Sequence, residues 1–164
     1  MKKILFIAFI LLNVNLFAQN SKHCLGGFAG SDTGMGFSYQ YWYKKFGIQV
    51  TGVPILKRNY EHFITAGVSF LYEIKQGKHV DLYSYIGYHY IDIKHTHSII
   101  DINGNYTTYT NVNQYHNGGL GVGFRFKLLD ELSLNLQGGY GIYNFTTNNL
   151  NFNFAGGIGV YYNL

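Results

Sequence analysis

The stretch that decides the fold is Asn-Phe-Asn-Phe-Ala-Gly-Gly-Ile-Gly-Val-Tyr-Tyr-Asn-Leu, residues 151–164. One parity of this stretch is apolar throughout: Phe152, Phe154, Ile158, Val160, Tyr162 and Leu164. The other parity is mostly small or polar: Asn153, Ala155, Gly157, Gly159, Tyr161 and Asn163. Because successive side chains of a strand point to opposite faces, the stretch predicts a strand with one apolar face. Such a face covers a core in a soluble protein, whereas it points outward to lipid in a membrane barrel.

The composition favours the membrane barrel. Aromatic residues make up 18% of the chain and charged residues 12%, against a usual charged share of about 25%. The 21 glycines suit a small barrel whose inner wall must curve and leave room, and Pro54 is the only proline. The formal charge is +4 and falls to +2 without Lys2 and Lys3, which is too small to argue for a nucleic-acid partner.

The N-terminus has the features of a secretory signal peptide. Met1-Lys2-Lys3 is followed by an apolar run from Ile4 to Leu12 and by Leu16-Phe17-Ala18. This run is short for a membrane-spanning helix, which needs about 20 apolar residues. We therefore expect a signal peptide over 1–18, cleaved after Ala18, and a barrel domain over 19–164.

The rest of the chain predicts a succession of strands with period-two alternation. Several alternating patterns extend over ten or more residues, a length suited to a tilted membrane strand. The predicted strands are Ser21–Ala29, Thr33–Tyr43, Phe46–Lys57, His62–Ile74, Val80–Lys94, Asn117–Lys127, Leu132–Phe145 and Asn151–Leu164. Ser21–Ala29 has the weakest pattern because it contains Gly26-Gly27.

Link lengths alternate between short and long. The short links are 44–45, 75–79 and 129–131, and the longer or more polar links are 58–61, 99–114 and 146–150. Outer-membrane barrels have short periplasmic turns, longer external loops and an even number of strands. The alternation closes only if a strand precedes Thr33, so we predict an all-β, eight-stranded antiparallel up-and-down transmembrane β-barrel.

The sequence resembles the small outer-membrane β-barrels of OmpA/OmpX type. The resemblance lies in the Phe-Ala-Gln at 17–19, in Gly-Gly-Phe-Ala-Gly-Ser-Asp-Thr-Gly-Met-Gly-Phe-Ser-Tyr at 26–39, and in the final strand. It implies two partners, outer-membrane lipid and the barrel-assembly machinery, which recognises the last strand by a terminal aromatic residue. Here Leu164 replaces that aromatic residue, with Tyr162 two positions earlier.

Four charged residues are predicted on the inward face near the periplasmic mouth: Glu73, Asp81, Arg125 and Lys127. Ionised groups in a lumen must be paired or hydrated. An eight-stranded barrel is just wide enough for side chains to fill it, so an ion-pair plug is the favoured role. A selectivity ring or gate is the alternative.

Histidine and cysteine give weaker signals. His95 and His97 share a parity and His116 follows the long link, but no cysteine or carboxylate cluster supports a metal site. Solvated rim histidines are therefore the favoured interpretation, and we expect neither a metal nor a cofactor. Cys24, the only cysteine, cannot form an internal disulfide and is expected to pack in the first strand as a free thiol.

The longest external link is rich in Tyr, Asn and Thr, which suits adaptable polar contact as well as simple solubility. The candidate surface-contact residues are Asn103, Asn105, Tyr106, Tyr109 and Asn111. A lipid-modifying enzyme is disfavoured because neighbours such as His97 and Ser98 point to opposite faces and no acid orients the histidine.

These observations predict an integral outer-membrane protein with a structural or surface-adhesive role, a side-chain-filled lumen and no catalytic activity. The alternatives are a soluble secreted barrel of lipocalin type, which binds an apolar ligand inside, and a small pore. The lipocalin alternative requires the opposite assignment of the two faces.

Overall fold

The structure, a computed structural model, describes residues 22–56, 62–100, 106–145 and 150–164. Within these residues the chain forms eight antiparallel strands: β1 (His23–Gly30), β2 (Gly34–Tyr43), β3 (Phe46–Leu56), β4 (His62–Lys75), β5 (Val80–Ile100), β6 (Tyr106–Lys127), β7 (Leu132–Tyr143) and β8 (Asn151–Asn163). Each strand pairs with the next, and β1 pairs with β8 to close the ring. The predicted eight-stranded antiparallel barrel is confirmed, including the strand before Thr33 that the alternation of links required.

The two ends of the barrel differ in their connections. The start of β1, the end of β8 and the links 44–45, 76–79 and 128–131 lie at one end, which we call the terminal end. There the Leu164 amide donates a 2.8 Å hydrogen bond to the His23 carbonyl. The opposite ends of the strands form the other end of the barrel, which we call the loop end.

The wall of the barrel is apolar outside and polar inside. Outward side chains such as Phe37, Leu120 and Phe154 are 80%, 62% and 75% exposed. Inward Gln40 and Gln49 are fully buried, as are several other polar residues of the same parity. This is the predicted assignment of faces, and it is opposite to the arrangement that a lipocalin-type pocket requires. Within the described ranges there is no helix suited to crossing a membrane.

The predicted boundaries of β5 and β6 are wrong at the loop end. We expected a long link over 99–114, but β5 continues to Ile100 and β6 begins at Tyr106. Their ladder remains in register up to Ile100 opposite Tyr106. Threonine and tyrosine favour extended backbone, and each strand supplies the other's hydrogen-bond partners, so the hairpin continues beyond the rest of the wall.

The correction applies to the candidate contact residues. Tyr106, Tyr109 and Asn111 belong to strand β6 rather than to a loop, whereas Asn103 and Asn105 lie outside the described residues. The predicted signal peptide, 1–18, also lies outside them.

Candidate functional site: the lumen and the projecting hairpin

The four predicted lumen charges come together near the terminal end. Arg125 donates from Nε to Asp81 Oδ2 at 3.1 Å, and its Nη2 lies 3.5 Å from Glu73 Oε2. Lys127 Nζ lies 2.9 Å from Asp81 Oδ1. The Arg125 guanidinium also lies over the Trp42 ring, 4.4 Å from its centroid. Asp81 therefore has cations on both carboxylate oxygens, and an aromatic face covers the arginine.

The sheet explains why these residues meet. Asp81 and Arg125 are register partners on β5 and β6, so their inward side chains are neighbours. The β4–β5 link adds two backbone contacts: the Gly77 amide donates to Asp81 Oδ1 at 3.1 Å, and Lys127 donates to the Gly77 carbonyl at 3.0 Å. The cluster thus connects strands β4, β5 and β6 to the β4–β5 link through ion pairs and hydrogen bonds.

A cavity of about 580 Å³ lies at the terminal end, beneath this cluster. Its walls include Asp81, Arg125, Lys127 and Lys78, together with the thiol-bearing residue Cys24. Cys24 is a free thiol and only 2% exposed.

Polar side chains fill the middle of the lumen in a hydrogen-bonded layer. Gln40 donates to Gln49 at 2.8 Å, and the Ser38 and Tyr161 hydroxyls are 2.8 Å apart. Tyr83 is also fully buried, and its hydroxyl accepts a 3.3 Å hydrogen bond from the Gln137 side-chain amide. Because buried polar groups are costly without partners, this network both fills the lumen and fixes the side chains that fill it.

The turn between β1 and β2 folds into the lumen at the loop end. Its residues Asp32 and Thr33 are 0% and 1% exposed. The Ser31 amide donates to the Gly156 carbonyl at 3.1 Å, and the Thr33 hydroxyl donates to Gln137 at 3.3 Å. We call residues 31–33 the inserted turn, since it fills the barrel from the loop end.

Glycines make room for the inserted turn. Gly34 and Gly36 have φ of 97° and 127°, a region that strongly favours glycine, and they bend the start of β2 inward. Across the lumen, a Cβ at Gly67 would overlap the Thr33 carbonyl, and one at Gly119 would overlap the Asp32 carboxylate. A Cβ at Gly87 would lie 2.5 Å from the Thr33 methyl group. The turn therefore packs directly against the bare backbone of β4, β5 and β6.

Asp32 is the exceptional residue of this turn. Within the described part of the chain, neither carboxylate oxygen has a hydrogen-bond partner. The Tyr85 hydroxyl lies near the carboxyl, and within the described ranges neither it nor the Ser69 hydroxyl meets the distance and angle limits of a hydrogen bond. Asp32 lies in the turn and not in a strand. Burial raises the pKa of its carboxyl above the usual value.

The loop end also carries the projecting hairpin of β5 and β6. Strand β6 pairs with β7 only from Gly118 onward, so the part before it is paired, among the described strands, with β5 alone. Tyr109 and Val112 on this part are 55% and 52% exposed. Edge strands of this kind offer backbone groups to another strand.

Comparison with known proteins shows which fold the barrel shares. No protein-family profile matches the chain, and no curated protein matches its sequence. Among solved structures, the N-terminal β-barrel domain of Pseudomonas aeruginosa OprF matches with a TM-score of 0.53 at 12% identity, over 89% of this chain and 100% of that domain. The chain has the fold of the small outer-membrane β-barrels. Neisserial surface protein A matches with a TM-score of 0.46 at 15% identity, over 87% of this chain and 93% of its own.

The histidines whose side chains the structure describes lie apart from one another on this barrel fold. His116 lies on the outer side, with Nδ1 2.7 Å from the Tyr88 hydroxyl and its ring 5.1 Å from that of Tyr90. The side chains of His95 and His97 lie outside the described residues. Among the described side chains, no group of three histidine, cysteine or acidic residues could hold a metal ion.

Sequence reasoning missed the inserted turn. The sequence did contain a signal for it, since Gly67, Gly87 and Gly119 have inward parity on three consecutive strands. Such a row of bare backbone leaves room for something other than a side chain of the wall.

Proposed function

We propose that the protein is an integral outer-membrane barrel that is closed to solutes and presents the β5–β6 hairpin at the cell surface, in a structural or adhesive role. The observation that supports the membrane location is the orientation of the wall. Large apolar side chains cover the outside, including Phe37 at 80% exposure and Phe154 at 75%, while glutamines inside are fully buried. Water is a poor solvent for such a surface, whereas lipid is a suitable one.

The proposed orientation puts the terminal end in the periplasm and the loop end outside. The short links, the start of β1 and the end of β8 are then periplasmic, in agreement with the short periplasmic turns of outer-membrane barrels. The test is cell fractionation combined with gel migration before and after heating, with external protease applied to intact cells. We expect a heat-modifiable band in the outer-membrane fraction and cleavage only within the loop-end connections. Recovery in a soluble fraction would contradict the membrane proposal.

The closed lumen is supported by three successive obstructions. The charge cluster lies near the terminal end, the glutamine and tyrosine layer lies in the middle, and the inserted turn lies at the loop end. Planar-bilayer recording tests this part of the proposal. We expect no steady large conductance from the unmodified protein, and such a conductance would favour the small-pore alternative.

The adhesive role is supported by the edge of β6 that has no described strand beside it. From Asn111 to Gln114 this strand is exposed and uncharged, and its asparagine and glutamine side chains suit polar contact. An extended polypeptide segment can add to such an edge through backbone hydrogen bonds. The partner class proposed is therefore an extended polypeptide rather than a small molecule.

Two proline variants test the edge directly. Neighbouring amides of a strand point to opposite sides, so Asn111→Pro and Val112→Pro remove different donors. One of these amides faces β5, and its loss breaks a hydrogen bond of the hairpin. The other faces away from β5, and we call the variant that removes it the edge variant. Cells displaying the edge variant should lose attachment to immobilised, unfolded polypeptide while the barrel keeps its heat-modifiable migration. Unchanged attachment for both variants would contradict strand addition.

A further inference from the structure

A basic and aromatic cluster lies on the outward wall at the terminal end, on strands β1 and β2. We call it the β1–β2 rim cluster, and its members are Lys22, His23, Tyr39, Tyr41, Tyr43 and Lys44. Tyr43 is 53% exposed and Tyr39 is 39% exposed, so the rings are part of the outer wall.

The two lysines of the cluster share one ring. Lys22 Nζ lies 5.9 Å from the centroid of Tyr43, and Lys44 Nζ lies 5.5 Å from it. Lys22 is positioned by its carbonyl, which accepts a 2.7 Å hydrogen bond from the Trp42 amide. Lys44 is positioned by the tight β2–β3 turn, where its φ is 54°. Both ammonium groups are thus directed to the outer wall rather than to the barrel axis.

His23 and two tyrosines extend the cluster along the wall. His23 Nδ1 lies 2.6 Å from the Tyr39 hydroxyl, and its ring centroid lies 5.0 Å from that of Tyr41. Tyrosine hydroxyls and imidazole bind oxygen atoms, while the rings of the tyrosines provide apolar surface beside them. Cations, hydroxyls and apolar surface are therefore arranged in sequence from the rim toward the middle of the wall.

The part of the rim from β6 to β8 is different. The β6–β7 link carries exposed Leu128, Leu129 and Asp130, and the adjacent outer wall of β8 presents Val160 and Tyr162. Other exposed lysines of the rim are Lys45, Lys75 and Lys78, but among the described residues only Lys22 and Lys44 lie over one shared aromatic ring. The β1–β2 rim cluster is therefore distinguished by this pair of ammonium groups beside tyrosines, and not by positive charge alone.

We propose that the β1–β2 rim cluster is a binding site for the headgroup of an anionic phospholipid. Lysine ammonium groups bind phosphate as point charges, and lysines beside a membrane are attracted to anionic lipid. The outward position favours a lipid over free phosphate, because the tyrosine rings can support the acyl chains below the headgroup. This inference rests on the proposed membrane location of the barrel.

The test uses the barrel refolded into phosphatidylcholine bilayers that contain either spin-labelled phosphatidylglycerol or spin-labelled phosphatidylcholine. The motionally restricted fraction of each label gives the ratio of their association with the protein. We expect a preference of at least about threefold for phosphatidylglycerol. The double variant Lys22→Gln with Lys44→Gln should bring the ratio close to one.

The matched control is Lys75→Gln with Lys78→Gln, which removes two exposed lysines from the β4–β5 side of the same rim. This control should keep the preference. If both double variants lose the preference equally, the preference comes from the total positive charge of the rim and the proposal is wrong. A wild-type ratio near one would also overturn it. Displacement of the labelled lipid by inorganic phosphate would also overturn the lipid-specific form.

Gel migration before and after heating is measured on every sample. Failure of the wild-type protein to insert would contradict the membrane location itself, whereas inserted protein without lipid preference would contradict only this site. If the double variant fails to insert, the single variant Lys44→Gln provides the same comparison, with an intermediate ratio expected.

Discussion

Each end of the lumen buries an aspartate, but the two carboxylates differ in whether cations lie beside them. Asp81 at the terminal end is 1% exposed and has Lys127 at 2.9 Å and Arg125 at 3.1 Å. Asp32 at the loop end is 0% exposed and, in the described structure, has no hydrogen bond to either oxygen. A buried carboxylate with cations is held by its charge, whereas one without them is held by the packing of the turn that carries it.

This difference divides the barrel into a charge-compensated end and a sterically packed end. Removing charge should damage the first, and changing shape or pH should damage the second. The following variants test that division in refolding titrations into lipid.

The largest effect is expected from Arg125→Met. The variant removes the cation that contacts Glu73 and one of the two cations that contact Asp81, and breaking a buried ion pair typically costs about 3–5 kcal/mol. The free energy of unfolding should fall by that order. Lys127→Met is the comparison, and it should cost less because Lys127 is 32% exposed and reaches water more easily. Equal costs for the two variants would show that Arg125 has no special role.

The double variant Arg125→Met with Asp81→Asn sharpens the same point. It removes the arginine together with a charge that it neutralises, so it should cost less than the sum of the two single variants. The expected interaction energy is about 0.5–3 kcal/mol. Strict additivity would mean that the two side chains do not depend on each other.

A smaller effect is expected at the packed end from Gly119→Ala. The added methyl group would overlap the Asp32 carboxylate, so the inserted turn must shift, at a typical overpacking cost of about 1–3 kcal/mol. Gly138→Ala on the outer wall is the matched control, since a Cβ there has no atom within 4 Å. If both alanine variants are equally stable, the turn does not pack against β6 as described.

The charge cluster was predictable because it depends only on parity and register. Once alternation assigns Asp81 and Arg125 to the inward face, pairing of β5 with β6 makes them neighbours. The same reasoning assigned the apolar face of β8 outward. Both inferences use the two-residue period of a strand, which the sequence carries directly.

The hairpin and the inserted turn were not predictable in this way. Beyond the wall, the side chains of β6 from Tyr109 to Gln114 are exposed on both faces, so the alternation that marks a strand disappears around Asn111. Ser31-Asp32-Thr33 has the composition of an ordinary polar turn. Its inward direction depends on glycines of three distant strands, and no local pattern contains that information.

The smallest effect concerns the pH dependence of Asp32. The unfolded chain loses the Asp32 proton near the usual value of about 3.9, whereas burial raises the pKa of this carboxyl in the folded barrel. Between these two values the folded state binds more protons, so Asp32 makes the free energy of unfolding fall as the pH rises. Asp32→Asn cannot ionise and should escape this loss. Its stability relative to wild type should therefore increase as the pH rises from about 4 through the raised pKa of the folded carboxyl. Asp130→Asn, at an exposed position of the β6–β7 link, is the matched control for the loss of one acidic side chain. A stability difference for Asp32→Asn that does not change with pH would mean that the inserted turn carries its carboxylate ionised, and the contrast between the two aspartates would then be wrong.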